Sequence, residues 1–255
     1  MARLYSISQI QLYLRCALKY RFQYIDQLPR PWRPAALVFG SSVHAAVEWF
    51  HRQRQAGGSP SAEEVCKIFD ADWFAQTLEP VVFEGSETKE VLQVKGQAML
   101  RLYVSEEHGP KPAAVEEWFE LDLADPETGE DLSVRMRGIM DLIEEGDTVV
   151  ELKTAARALP QGDLERHLQV STYALVYLLL HQKLPKLRVD MLLKTKHPRL
   201  ERFETSRTPA DLAWTARLIQ RTARAIEGGH FFPNPSWMCG ECEYFAQCQS
   251  WRGLN

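Results

Sequence analysis

The segment Gly138-Ile-Met-Asp141-Leu-Ile143, a short turn, and then Val149-Val-Glu151-Leu-Lys153-Thr154 decides how the rest of the chain is read. Glu151 and Lys153 lie two apart in an apolar run with strand character. Both therefore point to one face, while Leu152 points to the other and into a core. Asp141 sits on the preceding strand, across a tight hairpin whose turn is supplied by Gly146-Asp147. The two carboxylates converge on one point with an ammonium alongside. Charges inside an apolar strand are costly unless they are paired or bind an ion. Two hard oxygen ligands suit Mg²⁺ or Mn²⁺. A lysine beside them is placed to orient or help deprotonate an attacking water, or to stabilise a pentavalent phosphorus transition state. The pattern points to phosphodiester hydrolysis. The plainer alternative is a solvated hairpin with a chance D…ExK match, so the stretch needs support from the rest of the chain.

Working outward, the segment after Pro112 reads as a mixed sheet. Val115 to Leu123 and Leu132 to Ile143 alternate as strands do, and Asp147 to Thr154 is a short apolar strand. A helix is expected from Leu164 to Leu180, then a strand from Leu187 to Lys194 with Arg199 to Thr205 pairing beside it. Pro209 opens a last long helix reaching Ile226. Before Pro112 the chain reads as almost wholly helical. Ser6-Ile-Ser8 caps a helix running to about Tyr24, and Pro29, Pro31 and Pro34 make a rigid connector. A second helix follows Gly40-Ser41-Ser42 and ends near Gly57-Gly58. Two more cover Ala62 to Thr77 and Glu87 to Glu107. Strands followed by a helix and a further strand give an α/β fold, a mixed central sheet flanked by helices. The expected organisation is one domain over residues 1–255: a helical part over about 1–112, a core over about 113–228, and a cysteine-rich tail over about 229–255.

Composition sets the bounds. With 45% hydrophobic and 25% charged residues, the 255-residue chain is ordinary for a soluble globular protein. No apolar run reaches the length of a membrane span, and the N-terminus lacks the apolar core of a signal peptide, so a cytoplasmic location is the default expectation. A net charge of −4 counts against nucleic-acid binding by global charge but leaves room for a local basic groove. Arg217, Arg221 and Arg224 recur along one helical face, and Lys194, Lys196, His197 and Arg199 form a basic turn; either group reads equally as phosphate track or as solvated surface. Tyr20, Phe22 and Tyr24 read as core packing before they read as a base-stacking surface.

The odd count of five cysteines argues against a disulfide framework. Cys239-Gly-Glu-Cys242 and Cys248 cluster, and Cys16 near the other end is the natural fourth ligand, leaving Cys66 as a plain helix residue. Four thiolates suit Zn²⁺ or a [4Fe–4S] cluster, and spacing does not separate the two. Either would clip the first helix to the tail. His44, opening the helix after Gly40, offers an imidazole to the carboxylate site, with Glu48 one turn later; a separate zinc site on His44, Glu48 and His51 is the lesser reading. Gln169 and Tyr173, four apart, share a helical face from which to reach a phosphate or base.

Taken in order, Ser6 through Cys16 and Tyr20, Gly40 to His44, Gly138 to Lys153, and Gln169 to Tyr173 followed by Cys239, Cys242 and Cys248 resemble RecB-type nucleases of the PD-(D/E)XK superfamily. The likeness is to the four-cysteine branch that includes the CRISPR-associated RecB-like exonucleases and the AddB nuclease domain. The resemblance implies a restriction-endonuclease-like core with an N-terminal helical insertion and a C-terminal cysteine clasp. It implies that His44, Asp141, Glu151 and the Leu152 carbonyl bind Mg²⁺ or Mn²⁺, that Lys153 is the catalytic lysine, and that Gln169 and Tyr173 contact DNA. It further implies that Cys16, Cys239, Cys242 and Cys248 ligate [4Fe–4S], with Zn²⁺ the lesser alternative. Alanine follows Cys16 where proline is frequent in the family. The expected activity is hydrolysis of DNA, as an exonuclease on single strands or ends, in repair, recombination or CRISPR spacer processing. No phosphate-binding GxxxxGK[ST] loop is present, so unwinding would fall to a helicase or a CRISPR adaptation partner. The rivals are a DNA-end-binding module that has lost catalysis and a zinc-stabilised interaction protein.

Overall fold

The computed structural model describes residues 3–253, apart from the side chain of Gln161. In chain order the elements are β1 (Leu4–Ser6), α1 (Ile7–Arg15), α2 (Ala17–Tyr20), a π-helical turn (Arg21–Ile25), β2 (Arg33–Pro34), α3 (Ala35–Gln55), α4 (Ala62–Gln76), β3 (Val81–Val82) and α5 (Lys89–Ser105). There follow β4 (Pro112–Ala124), β5 (Asp131–Glu144), β6 (Thr148–Ala155), α6 (Gln161–Glu165), α7 (Leu168–His181), β7 (Lys186–Leu193), β8 (Arg199–Thr205) and α8 (Pro209–Glu227). A 3₁₀ turn (Trp237–Glu241) and α9 (Phe245–Trp251) end the described chain. The result is an α/β fold on a mixed sheet of strand order β1-β5-β6-β7-β8, with β4 also beside β5. No helix among the described residues is long and apolar enough to cross a membrane.

The chain divides into two compact units. The first comprises residues 1–32, 119–138 and 208–255. In it β1 pairs parallel to the first half of β5, Leu4 opposite Arg135. Thr208 caps α8 by a reciprocal capping box with Asp211, and Pro209 takes the first helical turn, where its missing N–H costs nothing. The tail is held to the N-terminal helices by the Tyr13 hydroxyl donating to the His230 carbonyl (2.6 Å), by Leu18 N–H donating to Phe232 O (3.0 Å) and by a Lys19–Glu243 ion pair (2.6 Å).

The second unit comprises residues 33–118 and 139–207. The end of β5 pairs antiparallel with β6 (Leu142 opposite Val150), β6 parallel with β7 (Glu151 opposite Val189), and β7 antiparallel with β8. Gly146 and Asp147 turn the β5–β6 hairpin with φ of 90° and 65°, the left-handed pair such a tight turn demands. Leu152 packs into a core built largely by α3, α4 and α5, where Phe39, Phe69 and Trp73 are buried against one another.

Three helix boundaries differ from the sequence reading, each for a local reason. The first helix breaks at Cys16, which adopts an extended backbone (φ −160°, ψ 105°) before α2 resumes and loosens into the π turn. The helix expected to begin after Gly40 begins at Ala35, because Ala35, Val38 and Phe39 have a core to bury in. Gly40 is there for approach: a Cβ at this position would stand 3.1 Å from Thr154 Oγ1 on β6. The helix expected over Leu164 to Leu180 is two, α6 and α7, broken at Arg166 and His167.

Candidate active site

Strand β6 carries Glu151, Leu152 and Lys153; the neighbouring β5 carries Asp141; α3 carries His44; α7 carries Gln169 and Tyr173. All belong to the second unit. The Leu152 N–H donates to Asp141 Oδ2 (2.8 Å), pinning that carboxylate to the strand bearing Glu151 and Lys153. His44 Nε2 lies 3.1 Å from the Leu152 carbonyl and 3.4 Å from Asp141 Oδ2. His44, Asp141 and the Leu152 backbone therefore meet at one locus, and the Glu151 carboxylate is near enough to feel the Asp141 and His44 charges.

Glu151 is 2% exposed and forms an ion pair with Lys153 through one oxygen, while its other oxygen, Oε2, is buried without a hydrogen-bond partner. A buried carboxylate oxygen left unmatched is expensive unless something cationic sits against it. Burial and the Asp141 carboxylate push Glu151 well above the ordinary carboxylate range, and Lys153 and His44 pull it back. Burial works against charge on His44, yet hydrogen bonds to Asp141 and Glu116 and the Leu152 carbonyl outweigh it and lift the imidazolium to about 11. Both shifts describe a place that favours positive charge.

Lys153 Nζ also donates to Gln169 Oε1 (2.8 Å), and the Gln169 amide donates onward to the Tyr173 hydroxyl (2.9 Å). This relay fixes which way the Gln169 amide faces and holds the ammonium at the mouth of the carboxylate pair. Burial and the Glu151 and Asp141 carboxylates raise the Tyr173 pKa, so the phenol stays protonated.

Two neighbours escaped the sequence reading. Glu116, on β4 with φ 52°, brings its carboxylate 3.8 Å from His44 Nδ1. His44, Glu116 and Asp141 are the one group of three among the described residues whose ligand atoms all lie within 4.8 Å of one another. A cavity of about 20 Å³, room for one small ion or water, is lined by these three with Leu152 and Asp190. His167 precedes α7 with a buried, unpartnered Nδ1; burial, Lys153 and Arg207 lower its pKa to about 4, so the ring is neutral. No sequence signal marks His167. Glu116 shows only as a charge inside an apolar strand. Glu48 turns to Arg52 (2.7 Å), and His51 Nε2 meets the Tyr103 hydroxyl (2.7 Å), so neither joins His44 in a separate site.

A sequence model of the PD-(D/E)XK nuclease superfamily matches residues 5–249. The chain belongs to the PD-(D/E)XK nuclease superfamily. Among solved structures it is similar to a crystal structure of a protein from Eubacterium rectale provisionally described as an exonuclease. The TM-score is 0.61 at 12% identity, over 95% of this chain and 86% of that one. At that identity the likeness shows the fold alone. No curated protein matches the sequence. Within this PD-(D/E)XK nuclease, Asp141 is followed by Glu151-Leu152-Lys153 on the neighbouring strand.

In the first unit of this nuclease, Cys16, Cys239, Cys242 and Cys248 line one cavity of about 160 Å³, walled by Leu18, Phe22 and Tyr244. The extended backbone at Cys16 interrupts the helix there. The Ser236 N–H donates to Cys239 Sγ (3.4 Å). No three of the sulfurs lie within 4.8 Å of one another. Burial raises the pKa of the Cys242 and Cys248 thiols. Cys66 is buried on α4, apart from this group.

Proposed function

We propose that this protein is a Mg²⁺- or Mn²⁺-dependent deoxyribonuclease acting as an exonuclease on single-stranded DNA or DNA ends. The observation that supports the reading is the meeting of His44, Asp141 and the Leu152 backbone, with a buried Glu151 oxygen that has no hydrogen-bond partner on the same strand beside Lys153. Hard oxygens with one imidazole fit a divalent cation, and the buried Glu151 Oε2 fits it best, because it has no other partner. A cation held there would polarise the scissile phosphodiester and lower the pKa of a bound water. The protein's own groups do the rest. Asp141, tied to the Leu152 amide, cannot swing away. Lys153, held between Glu151 and Gln169, presents a fixed ammonium to a phosphate oxygen or to the attacking water. Gln169 and Tyr173, linked to each other and to Lys153 by hydrogen bonds, would be the residues that contact the DNA backbone.

The cysteine cavity belongs to the same reading as a [4Fe–4S] site on Cys16, Cys239, Cys242 and Cys248. The reading for the four thiols that line this cavity is the cluster implied by the sequence resemblance, with zinc as the lesser alternative. The sequence resemblance extends the proposal to end processing in repair, recombination or CRISPR spacer capture, beside a helicase or adaptation partner.

The test is incubation of anaerobically purified protein with end-labelled single- and double-stranded DNA in Mg²⁺ or Mn²⁺, alongside Asp141→Ala. Metal-dependent cleavage lost in the variant supports the reading, and equal activity in both sinks it. Visible absorbance near about 400 nm, lost on Cys16→Ala, marks an iron–sulfur centre; a colourless protein carrying zinc rejects it.

A further inference from the structure

Helix α8 buries Leu212, Ala216, Ile219, Ala223 and Ile226 and turns a second stripe outward. Trp214, Arg217, Arg221 and Arg224 recur there at three- and four-residue spacing, all exposed, over about 15 Å of helix. Trp214 keeps 60% of its surface in solvent, an uncommon place for an indole. With Arg217, Leu218 and Arg221 it lines a depression of about 360 Å³. Arg217 is held at its edge by Asp125 (3.7 Å) and Glu127 (3.3 Å). Arg221 and Arg224 make no ion pair among the described residues, so their charge is uncompensated on a chain whose net charge is −4.

We infer that this stripe is a docking track for single-stranded nucleic acid, built from residues other than those of the carboxylate site. The chemistry on the surface selects that occupant. A flat exposed indole offers a face on which any base stacks, and the guanidinium groups flanking it match phosphates in charge and in bidentate geometry. An apolar protein partner would meet three arginines and no apolar surface beyond Trp214 and Leu218. The inference rests on the nuclease reading and deepens it by naming residues on the chain that retain the substrate.

The test uses the full chain and a fluorescein-labelled oligo(dT) in EDTA, where no cleavage occurs. Trp214→Ala weakens binding by about thirtyfold, the middle of the range for loss of one stacked base. Arg221→Gln/Arg224→Gln lowers the slope of log affinity against log salt by about 1.4, two single-strand phosphate contacts. Both variants unfold at the wild-type temperature, because the substituted side chains are exposed. Hydrolysis of thymidine 5′-p-nitrophenyl phosphate, too small to reach a second site, proceeds at the wild-type rate in each. Wild-type affinity and salt slope in both variants overturn the docking track. Loss of ester hydrolysis in Asp141→Ala is a separate result: if wild type also lacks that hydrolysis while oligo(dT) binding still depends on Trp214, the catalytic reading fails and the track stands.

Discussion

Gly96 sits in the middle of α5, where alanine would ordinarily be the better helix former by about 1 kcal/mol. The structure predicts that Gly96→Ala nevertheless destabilises the protein. A Cβ at this position would lie 2.2 Å from Phe69 Cζ and 2.7 and 2.8 Å from its Cε atoms. The Phe69 ring is fully buried and cannot slide. Trp73 stacks parallel to it at 6.2 Å, and Phe39 meets it edge-on at 6.0 Å. Overpacking costs about 1–3 kcal/mol, and an approach of 2.2 Å to a ring that cannot give way puts it in the upper part of that range, about 2–3 kcal/mol, so that a net loss of about 1–2 kcal/mol remains after the propensity gain of about 1 kcal/mol. For a chain of this length that lowers Tm by roughly 2–8 °C. The same ring supports α3, the helix bearing His44, through Phe39, so the platform under the site is strained as well. Thermal unfolding of wild type, Gly96→Ala, Phe69→Leu and the double variant measures it. The double variant should be more stable than the sum of the singles by at least about 0.5 kcal/mol, since leucine vacates the space the new methyl needs. A Gly96→Ala protein as stable as wild type would refute the packing argument.

Three further outcomes follow from charges in the second unit. His51 is buried beside His108 and Arg54, and burial first, then those cations, lower its pKa to about 3. Its folded value lies below the unfolded value of about 6.5, so its contribution to stability is complete above pH 6.5 and is lost as pH falls toward 3. Between pH 7 and 5 the loss is about 2 kcal/mol, and urea unfolding of His51→Gln should show a pH dependence smaller by that amount. Arg188 donates to both Glu144 oxygens (2.8 Å each) and to Asp190 (2.7 Å), carboxylates that are 3% and 2% exposed. Arg188→Met should cost about 3–5 kcal/mol, and adding Glu144→Gln should restore part of it in the same denaturation series. Mn²⁺ at about a hundred times its Kd should stabilise wild type by about 2.7 kcal/mol, a Tm rise of roughly 5–10 °C; Asp141→Ala should show none in a thermal shift assay.

Much of the local geometry of the candidate site could be read in the sequence because it rests on short-range periods. Glu151 and Lys153 share a strand face by the two-residue period. Asp141 reaches them because Gly146 and Asp147 make a turn with no spare residues. Gln169 and Tyr173 meet through the four-residue period of α7. What was not legible depends on exceptions to those periods. At Glu116 the backbone crosses to positive φ, and buried positions along β4 fall at Val115, Phe119 and Leu123, so alternation gives no hint that its carboxylate faces His44. Cys16 looked like one more helical residue, since an extended kink inside a helix has no composition of its own. The early start of α3 was hidden by Gly40, which reads as a boundary in sequence but in space is a point of contact with Thr154. His167 is distinguished only by what surrounds it.

We propose that Lys153 acts on a phosphodiester held by a metal at His44, Asp141 and Glu151. The most direct measurement is the initial rate of Mn²⁺-dependent cleavage of end-labelled DNA by Lys153→Met, compared with wild type under conditions where both show the Mn²⁺-induced rise in Tm. The account predicts a fall of at least about a hundredfold, the loss of one preorganised charge at the reacting group, with the Tm rise kept because Lys153 is not a ligand. Cleavage at the wild-type rate would contradict it.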